Sequence, residues 1–325
     1  MKISVAMCTY NGSDFLPAQL ESIIAQSRPP DEIVICDDSS SDETQTLLNR
    51  FAADSPVPVS MQFNEKNLGS IKNFEQAIRL CKGDVIALSD QDDVWRSDKL
   101  QLIEDSFNKT PQAGLAFSDA EIVNEDLTPL GRRMWDEVGF DAHKRKLVKL
   151  GRALEVLITG WTVTGATMAF RSKFVKLSLP VPEGIAMIHD GWIALTIAAA
   201  ADVVMIEEPL IKYRQHGRQQ IGAPVRTQEA DARPGLMEEF RRRNSSADLH
   251  KILATLEERL SAQRSSFDTQ EALSFVGDYS FHLNVRANLP QKRLNRLPGI
   301  LRELLTRRYH EYANGFKSAA KDLVS

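Results

Sequence analysis

Cysteine is scarce in this chain of 325 residues: Cys8, Cys36 and Cys81 lie far apart and form no C-x-x-C pair. An odd, scattered set excludes a disulfide framework and a zinc knuckle, and a reducing cytoplasm is the simplest setting. Long apolar runs are missing too. The longest, Ile193 to Ile206, is interrupted by Asp202 and falls short of a membrane span. The first twelve residues hold one lysine and an apolar run too short for a signal peptide. Charge of one sign is not in great excess: 40 Lys+Arg against 44 Asp+Glu give a formal net charge of −4, which asks for no nucleic-acid partner. No G-x-x-x-x-G-K-[ST] and no G-x-G-x-x-G after the first strand occurs. A P-loop kinase and a dinucleotide dehydrogenase thereby lose their main support, and a nucleotide here must be held by side chains and a metal.

What is present is alternation. Ile3–Met7, Glu32–Cys36, Val59–Phe63 and Asp84–Leu88 are short β-rich runs, and apolar residues recur at helical spacing between them. This order predicts an α/β protein with a mostly parallel, Rossmann-like sheet and helices on both faces, because parallel strands need crossover helices of one hand. Ser13 and Asp42 stand at N-cap positions, Asp42 with Gln45 has the form of a capping box, and Pro29-Pro30 and Gly83 mark returns. Beyond Trp95 the pattern predicts a helix over 97–108, strands near Leu115–Phe117 and Ala166–Phe170, loops and short helices over 132–152, and a buried helix over 191–201. Two more strands follow, Val203–Ile206 and Leu210–Tyr213. From Gln228 proline and glycine thin out, which predicts domains over 1–222 and 228–325, the second a helical appendage broken at Pro290 and Pro298-Gly299.

In an open parallel sheet, ligands bind outside the carboxyl ends of the strands. Three such ends are unusually polar: Cys8-Thr9-Tyr10-Asn11, Asp37-Asp38-Ser39-Ser40-Ser41-Asp42 and Ser89-Asp90-Gln91-Asp92-Asp93. Clustered carboxylates repel unless a cation binds between them. Mg²⁺ or Mn²⁺ with a phosphate-bearing ligand suits the pattern, since such an ion takes one or two carboxylates and fills its other positions with water and phosphate oxygens. The plainer reading makes Asp37 and Asp38 helix caps and Asp90–Asp93 a solvated turn.

These strings, together with Asn67-Leu68-Gly69, Val94-Trp95, Thr164-Gly165, His189-Asp190-Gly191-Trp192 and Tyr213-Arg214-Gln215-His216-Gly217, resemble family 2 of the inverting nucleotide-sugar glycosyltransferases in order and spacing. The likeness runs closely over residues 1–222 and leans toward members that build rhamnose-containing surface polysaccharides. It departs at Arg218-Gln219-Gln220, where that subgroup has an asparagine-rich continuation. The resemblance implies a GT-A-like fold, a nucleoside-diphosphate sugar as donor, a divalent metal, and a glycan or lipid-linked acceptor. Carried over by position, Thr9, Tyr10, Asn11 and Asp38 surround the nucleoside, and Asn67, Gly69 and Lys72 line its edge. Asp90 and Asp92 meet the donor, Asp92, Asp93 and His216 reach the metal or diphosphate, and Arg214 is a counter-charge for the diphosphate.

Asp190 is the expected catalytic base. It precedes a strongly apolar helix, so it should be partly buried, and burial favours the protonated form of a carboxylate. A simple N-cap is the competing reading and is compatible with it. Trp95, Trp161 and Trp192 are candidates for an acceptor platform, against a core role for each. Two other functions share the same residues: a noncatalytic sugar-nucleotide or glycan-binding module, and a metal-dependent nucleotidyltransferase or phosphohydrolase, which product analysis separates. The tail has a different character. Residues 291–325 carry eight Lys/Arg and three Asp/Glu, a local net of +5 that leaves −9 for residues 1–290. Basic residues interleaved with leucines there fit an interfacial helix at the inner face of a membrane, or a helix packed on the catalytic domain or on a second subunit.

Overall fold

The computed structural model describes residues 1–160, 162–217 and 246–324, and these divide between two compact units, Met1–Arg243 and Asn244–Ser325. The expected boundary at 222–228 lies outside the described residues, as do Trp161 and Arg218-Gln219-Gln220.

The first unit opens with the predicted alternation: β1 (Ile3–Thr9), α1 (Leu16–Ile24), β2 (Glu32–Asp37), α2 (Thr44–Asp54), β3 (Val59–Phe63), α3 (Ser70–Leu80) and β4 (Val85–Ser89). β1 is buried along its whole length, as a central strand covered on both faces must be. It pairs in parallel with β2 on one side and β4 on the other, and β2 pairs in parallel with β3. The chain thus winds outward from β1 to β3 and then returns to the opposite side of β1. That reversal leaves a crevice at the carboxyl ends of β1 and β4, where Tyr10–Gly12 and Asp90–Asp93 leave the sheet.

The second half of the sheet is mixed. It contains β5 (Val94–Trp95), β6 (Ala113–Val123), β7 (Pro129–Arg133), β8 (Met168–Arg171) and β9 (Asp202–Arg214), giving nine strands in the order β3-β2-β1-β4-β8-β6-β9-β5 with β7 beside β6. β8 runs antiparallel to both β4 and β6. Helices α4 (Lys99–Lys109), α5 (Met134–Glu137), α6 (Ala142–Lys149), α7 (Ala153–Leu157), α8 (Val175–Ser178) and α9 (His189–Ala198) follow among the described residues of the unit. The two strands expected over 203–213 are one. β9 passes through Glu207-Glu208-Pro209 by register shifts against β6, at Ser118/Asp119 and Asp119/Glu121, so the proline's missing N–H falls where the ladder is already interrupted. Its last residues also pair with β5, Ile211 opposite Trp95 and Lys212 opposite Val94. This pairing delivers Arg214 to the acidic turn.

Local signals were met unevenly. Asp42 accepts the Thr44 N–H at 3.0 Å and the Ser13 N–H at 3.1 Å, so it does organise the entry to α2. Gln45 does not close a capping box: its amide goes to Asp37 Oδ1 at 3.0 Å. Ser13 is no cap, since α1 starts three residues later. In the second unit, α10 (Ser246–Ala262), α11 (Gln270–Ala287), α12 (Arg293–Leu305), α13 (Arg308–Tyr312) and α14 (Phe316–Val324) form the predicted helical array. Pro290 separates α11 from α12, but Pro298 lies inside α12. The helix survives the lost backbone bond because Ile300, two residues on, is anchored with Tyr309 and Ala319.

Gly114 on β6 packs tightly against α9 and its surroundings. A Cβ on Gly114 would approach Ile197 Cγ2 to 2.6 Å, Phe174 Cε2 to 2.7 Å and Ala201 Cβ to 2.8 Å. Gly114→Ala is therefore expected to lower stability by about 1–3 kcal/mol through overpacking, read as a reduced urea midpoint with an unchanged slope.

Candidate active site

The crevice is built first by carboxylates that serve the backbone. Asp37, buried at the end of β2, accepts from Thr9 Oγ1 at 2.8 Å, Ser40 N at 3.0 Å, Ser40 Oγ at 2.6 Å and Gln45 Nε2 at 3.0 Å. It is a loop organiser and not a helix cap. Asp38, equally buried, accepts the N–H groups of Leu68 and Gly69 at 2.8 Å each and Asn64 Nδ2 at 3.0 Å. Its charge fixes the Asn67–Gly69 turn against β2, and Asn67 Nδ2 reaches the Asp38 carbonyl at 3.3 Å. Gly69 has φ +82°, and a Cβ there would meet nothing, so glycine is required by backbone angle and leaves open space above the turn. Asn11, φ 46°, ties β1 to β2 by donating its N–H to Ser40 Oγ and accepting the Ser41 N–H, both at 2.8 Å.

Gln91 joins the other two strand ends. It accepts the Tyr10 N–H at 2.8 Å and donates to the Tyr10 carbonyl at 3.0 Å, so one amide side chain clips the β4 turn to β1. Gly12 lies under that amide; a Cβ there would sit 2.2 Å from Gln91 Oε1. Tyr10 itself is exposed on the rim. Lys72, on the first turn of α3, spends its charge on Glu75 and Glu183, 3.6 Å from each.

Asp90–Asp93 is no solvated turn. Asp93 is fully buried; its Oδ1 accepts the Arg214 N–H at 3.1 Å and its Oδ2 has no partner. Burial, with repulsion from Asp92 and Asp90, pushes the Asp93 carboxyl well above the usual carboxylate range. Burial and the charges of Asp92 and Asp190 push Asp90 up to about 7. Asp92 Oδ2 lies 2.9 Å from His216 Nε2, and its carbonyl accepts from Arg214 Nε at 2.7 Å. The Arg214 guanidinium also donates to the Glu125 carbonyl. Phe15 is wedged beside both side chains, its ring 4.8 Å from the Arg214 guanidinium carbon and 4.3 Å from the His216 ring.

Behind the turn stands a residue that sequence reading passed over. Lys99 is fully buried, donates to the Ala166 carbonyl at 2.6 Å and places its ammonium 3.7 Å from the centre of the Trp95 ring. Burial pulls its pKa down to about 7 while Asp93 and Asp90 oppose that pull. The available signal was position: Lys99 opens the helix that follows the acidic turn. Tyr213, quoted in its motif without a role, is a second such residue. Its hydroxyl is buried among the charges of Asp93, Asp92, Asp90 and Asp190, which with desolvation drive its pKa well above the ordinary value.

Asp190 occupies the first turn of α9 and is buried. Its Oδ2 accepts the Gly165 N–H at 2.9 Å and its Oδ1 accepts the Gly191 N–H at 2.6 Å. The carboxylate is thus held in one orientation by the two glycines of the Thr164-Gly165 and Asp190-Gly191 motifs, and its charge acts directly on Asp90. His189 beside it is buried, stacked on Phe74 at 4.2 Å, and kept neutral by desolvation, its pKa lowered to about 3. Trp95 and Trp192 form no platform. Trp192 is fully buried and donates to the Ser178 carbonyl at 2.9 Å, and Trp95 is buried over Lys99.

Among the described residues no group of three or more His, Cys, Asp or Glu side chains is arranged to hold a metal unaided. The donor set nevertheless fits a hard divalent cation that shares its shell with phosphate: two neighbouring carboxylates, one with an unpartnered buried oxygen, and a histidine on the other. Among the described residues no helix is long and apolar enough to cross a membrane.

Comparison with known proteins agrees with this geometry. The model of glycosyl transferase family 2 matches residues 4–176. The uncharacterized glycosyltransferase alr2836 of Nostoc sp. is 28% identical over 240 residues, which is 72% of this chain and 71% of that protein. The dTDP-rhamnosyl transferase RfbG of Shigella flexneri is 27% identical over 242 residues, 71% of this chain and 78% of the relative. Among solved structures, S. aureus TarS 1-349 in complex with UDP-GlcNAc superposes with a TM-score of 0.58 at 14% identity, covering 99% of this chain and 91% of that one. At that identity the likeness is one of fold, the GT-A fold. With the family model fitting more than half of the chain, the protein belongs to glycosyl transferase family 2 and is a transferase enzyme.

Proposed function

We propose that the protein moves a sugar from a nucleoside-diphosphate donor to a hydroxyl of a glycan or lipid-linked acceptor, with inversion at the anomeric carbon, in the synthesis of a surface polysaccharide. The observation that carries this reading is the meeting of Asp190, orientated by two backbone N–H groups, with the Asp90–Asp93 turn at the reversal point of the sheet. One carboxylate is fixed as a proton acceptor and a separate acidic cluster is left short of positive charge. The named relatives support the biological setting: RfbG is a dTDP-rhamnosyl transferase, and TuaG of Bacillus subtilis a putative teichuronic acid biosynthesis glycosyltransferase. A rhamnosyl donor is the reading that RfbG supports.

In this mechanism the rim at Tyr10 and the Asn67–Gly69 turn, held by Asp38, receive the nucleoside, while Thr9 and Asn11 keep the β1 and β2 ends in register. Asp92 and Asp93, with His216, would hold Mg²⁺ or Mn²⁺, which supplies Lewis-acid charge to the diphosphate when bound. Asp190 takes the proton of the acceptor hydroxyl as that oxygen bonds to the anomeric carbon. The bond from the anomeric carbon to the diphosphate oxygen breaks on the opposite face. Among the described residues Lys99 and Arg214 are cations that act on this turn, and Arg214 orientates Asp92 and Asp93 through its side chain and its backbone N–H.

Asp190→Asn is expected to lower the transfer rate by about 10²–10⁴-fold, the usual contribution of a general base, while the thermal shift given by the nucleoside diphosphate is retained. Unchanged turnover in a product assay would remove Asp190 from this role. For the acidic turn, a thermal-shift panel of UDP, dTDP and GDP should show stabilisation that needs Mn²⁺ and disappears on chelation. In Asp93→Asn the metal-dependent part should be lost. A shift of equal size with and without metal would place the cation elsewhere or nowhere in donor binding.

A further inference from the structure

The C-terminal unit turns an apolar stripe outward. Leu294, Leu297, Leu301 and Leu305 follow one another along α12 at intervals of three, four and four residues, hence on one side of the helix. All four are exposed, Leu294 at 80%, Leu301 at 53% and Leu305 at 84%. Other residues hold α12 to its unit. Ile300 packs with Tyr309 and Ala319, and buried Glu303 accepts from Arg308 and lies 2.7 Å from His282 Nδ1. α14 has the same construction, with Ala319 buried while Phe316 and Val324 are exposed at 70% and 59%. Large apolar side chains repeated in this way on two neighbouring helices mark a surface that something covers.

The charge around them says what. Lys292, Arg293, Arg302, Arg307, Lys317 and Lys321 are exposed, and none belongs to an ion pair among the described residues. The unit's other basic residues here are engaged internally: Arg296 donates to the carbonyls of Pro290, Gln291 and Asp322, and Arg308 pairs with Asp278 and Glu303. Of the three acidic residues after position 290, Glu303 is buried and Asp322 is bonded to Arg286 and Tyr309, which leaves Glu311 as the exposed one. Exposed leucines in a field of unpaired cations complement an apolar layer faced with anions.

We propose that α12 and α14 dock this protein on the surface of an anionic phospholipid bilayer, with the leucines and Phe316 entering the acyl boundary and the lysines and arginines meeting headgroup phosphates. A second copy of the chain is the competing occupant. A symmetric pair formed on this stripe would bring the same cations of both copies together, which opposes it. The inference goes beyond the donor site and does not depend on it, since docking is read with no nucleotide present.

The test is flotation of the full-length protein with vesicles of phosphatidylcholine alone and of phosphatidylcholine with phosphatidylglycerol at about 3:1. The protein should float with the anionic vesicles only. Partitioning should fall severalfold between about 0.1 and 0.5 M salt, as the Debye length shortens below ~10 Å. The double variant Leu301→Glu with Leu305→Glu changes only exposed side chains, so its thermal midpoint should hold while partitioning drops at least about tenfold. Protein that stays unbound to anionic vesicles overturns the proposal, and so does a double variant that floats like the parent. A dimer in sedimentation equilibrium that the double variant dissolves, with no flotation of either, would assign the stripe to a second copy instead.

Discussion

Three carboxylates within four residues, Asp90, Asp92 and Asp93, crowd the carboxyl end of β4, and much of the first unit is arranged around their mutual repulsion. Asp93 has no access to water and one oxygen without a partner, so its charge is costly in the folded chain. Lys99 is buried behind it, and Arg214 arrives on the far side of the sheet through the pairing of β9 with β5. Lys99 acts on Asp90 and Asp93 through its charge while its Nζ is bonded to a carbonyl, and the described bonds of the Arg214 guanidinium also go to carbonyls. Burial and mutual repulsion outweigh the positive charge at the turn. That arrangement leaves Asp90 and Asp93 with raised pKa values and a pocket whose electrostatics improve when a cation enters.

The other buried acids show the contrast. Asp37, Asp38 and Asp190 each accept two or more hydrogen bonds from loop backbone or short side chains. Such carboxylates are structural clamps, because a backbone N–H that found no acceptor would cost about 1–3 kcal/mol on burial. In the proposed mechanism Asp190 is the informative case, since the clamp that fixes it also aims it. A base has to be held where the proton will be, and two N–H groups from separate segments do this more rigidly than one side-chain partner would.

The legibility of these features followed their range along the chain. β1 to β4 and the helices between them were readable because strand alternation and helical spacing are local, and the acidic turn stood out by composition alone. The antiparallel β8 between β4 and β6, and the continuity of β9 through Pro209, depend on partners many residues away that leave no local signature. Lys99 was hidden for a different reason. A lysine at the head of an amphipathic helix reads as solvated surface, and only the fold reveals that this one faces the acids. Trp192 misled in the opposite sense: beside a polar motif it suggested a platform, yet its indole N–H is satisfied by the Ser178 carbonyl inside the core.

Charge is also distributed unevenly along the chain. Residues 1–290 carry a formal −9 and residues 291–325 a formal +5. Toward an anionic surface the two act in opposite senses: the greater part of the chain is repelled and the last helices are drawn in. Random adhesion by any face is therefore disfavoured, and contact through α12 and α14 is selected by the sign of the field as well as by exposed leucine.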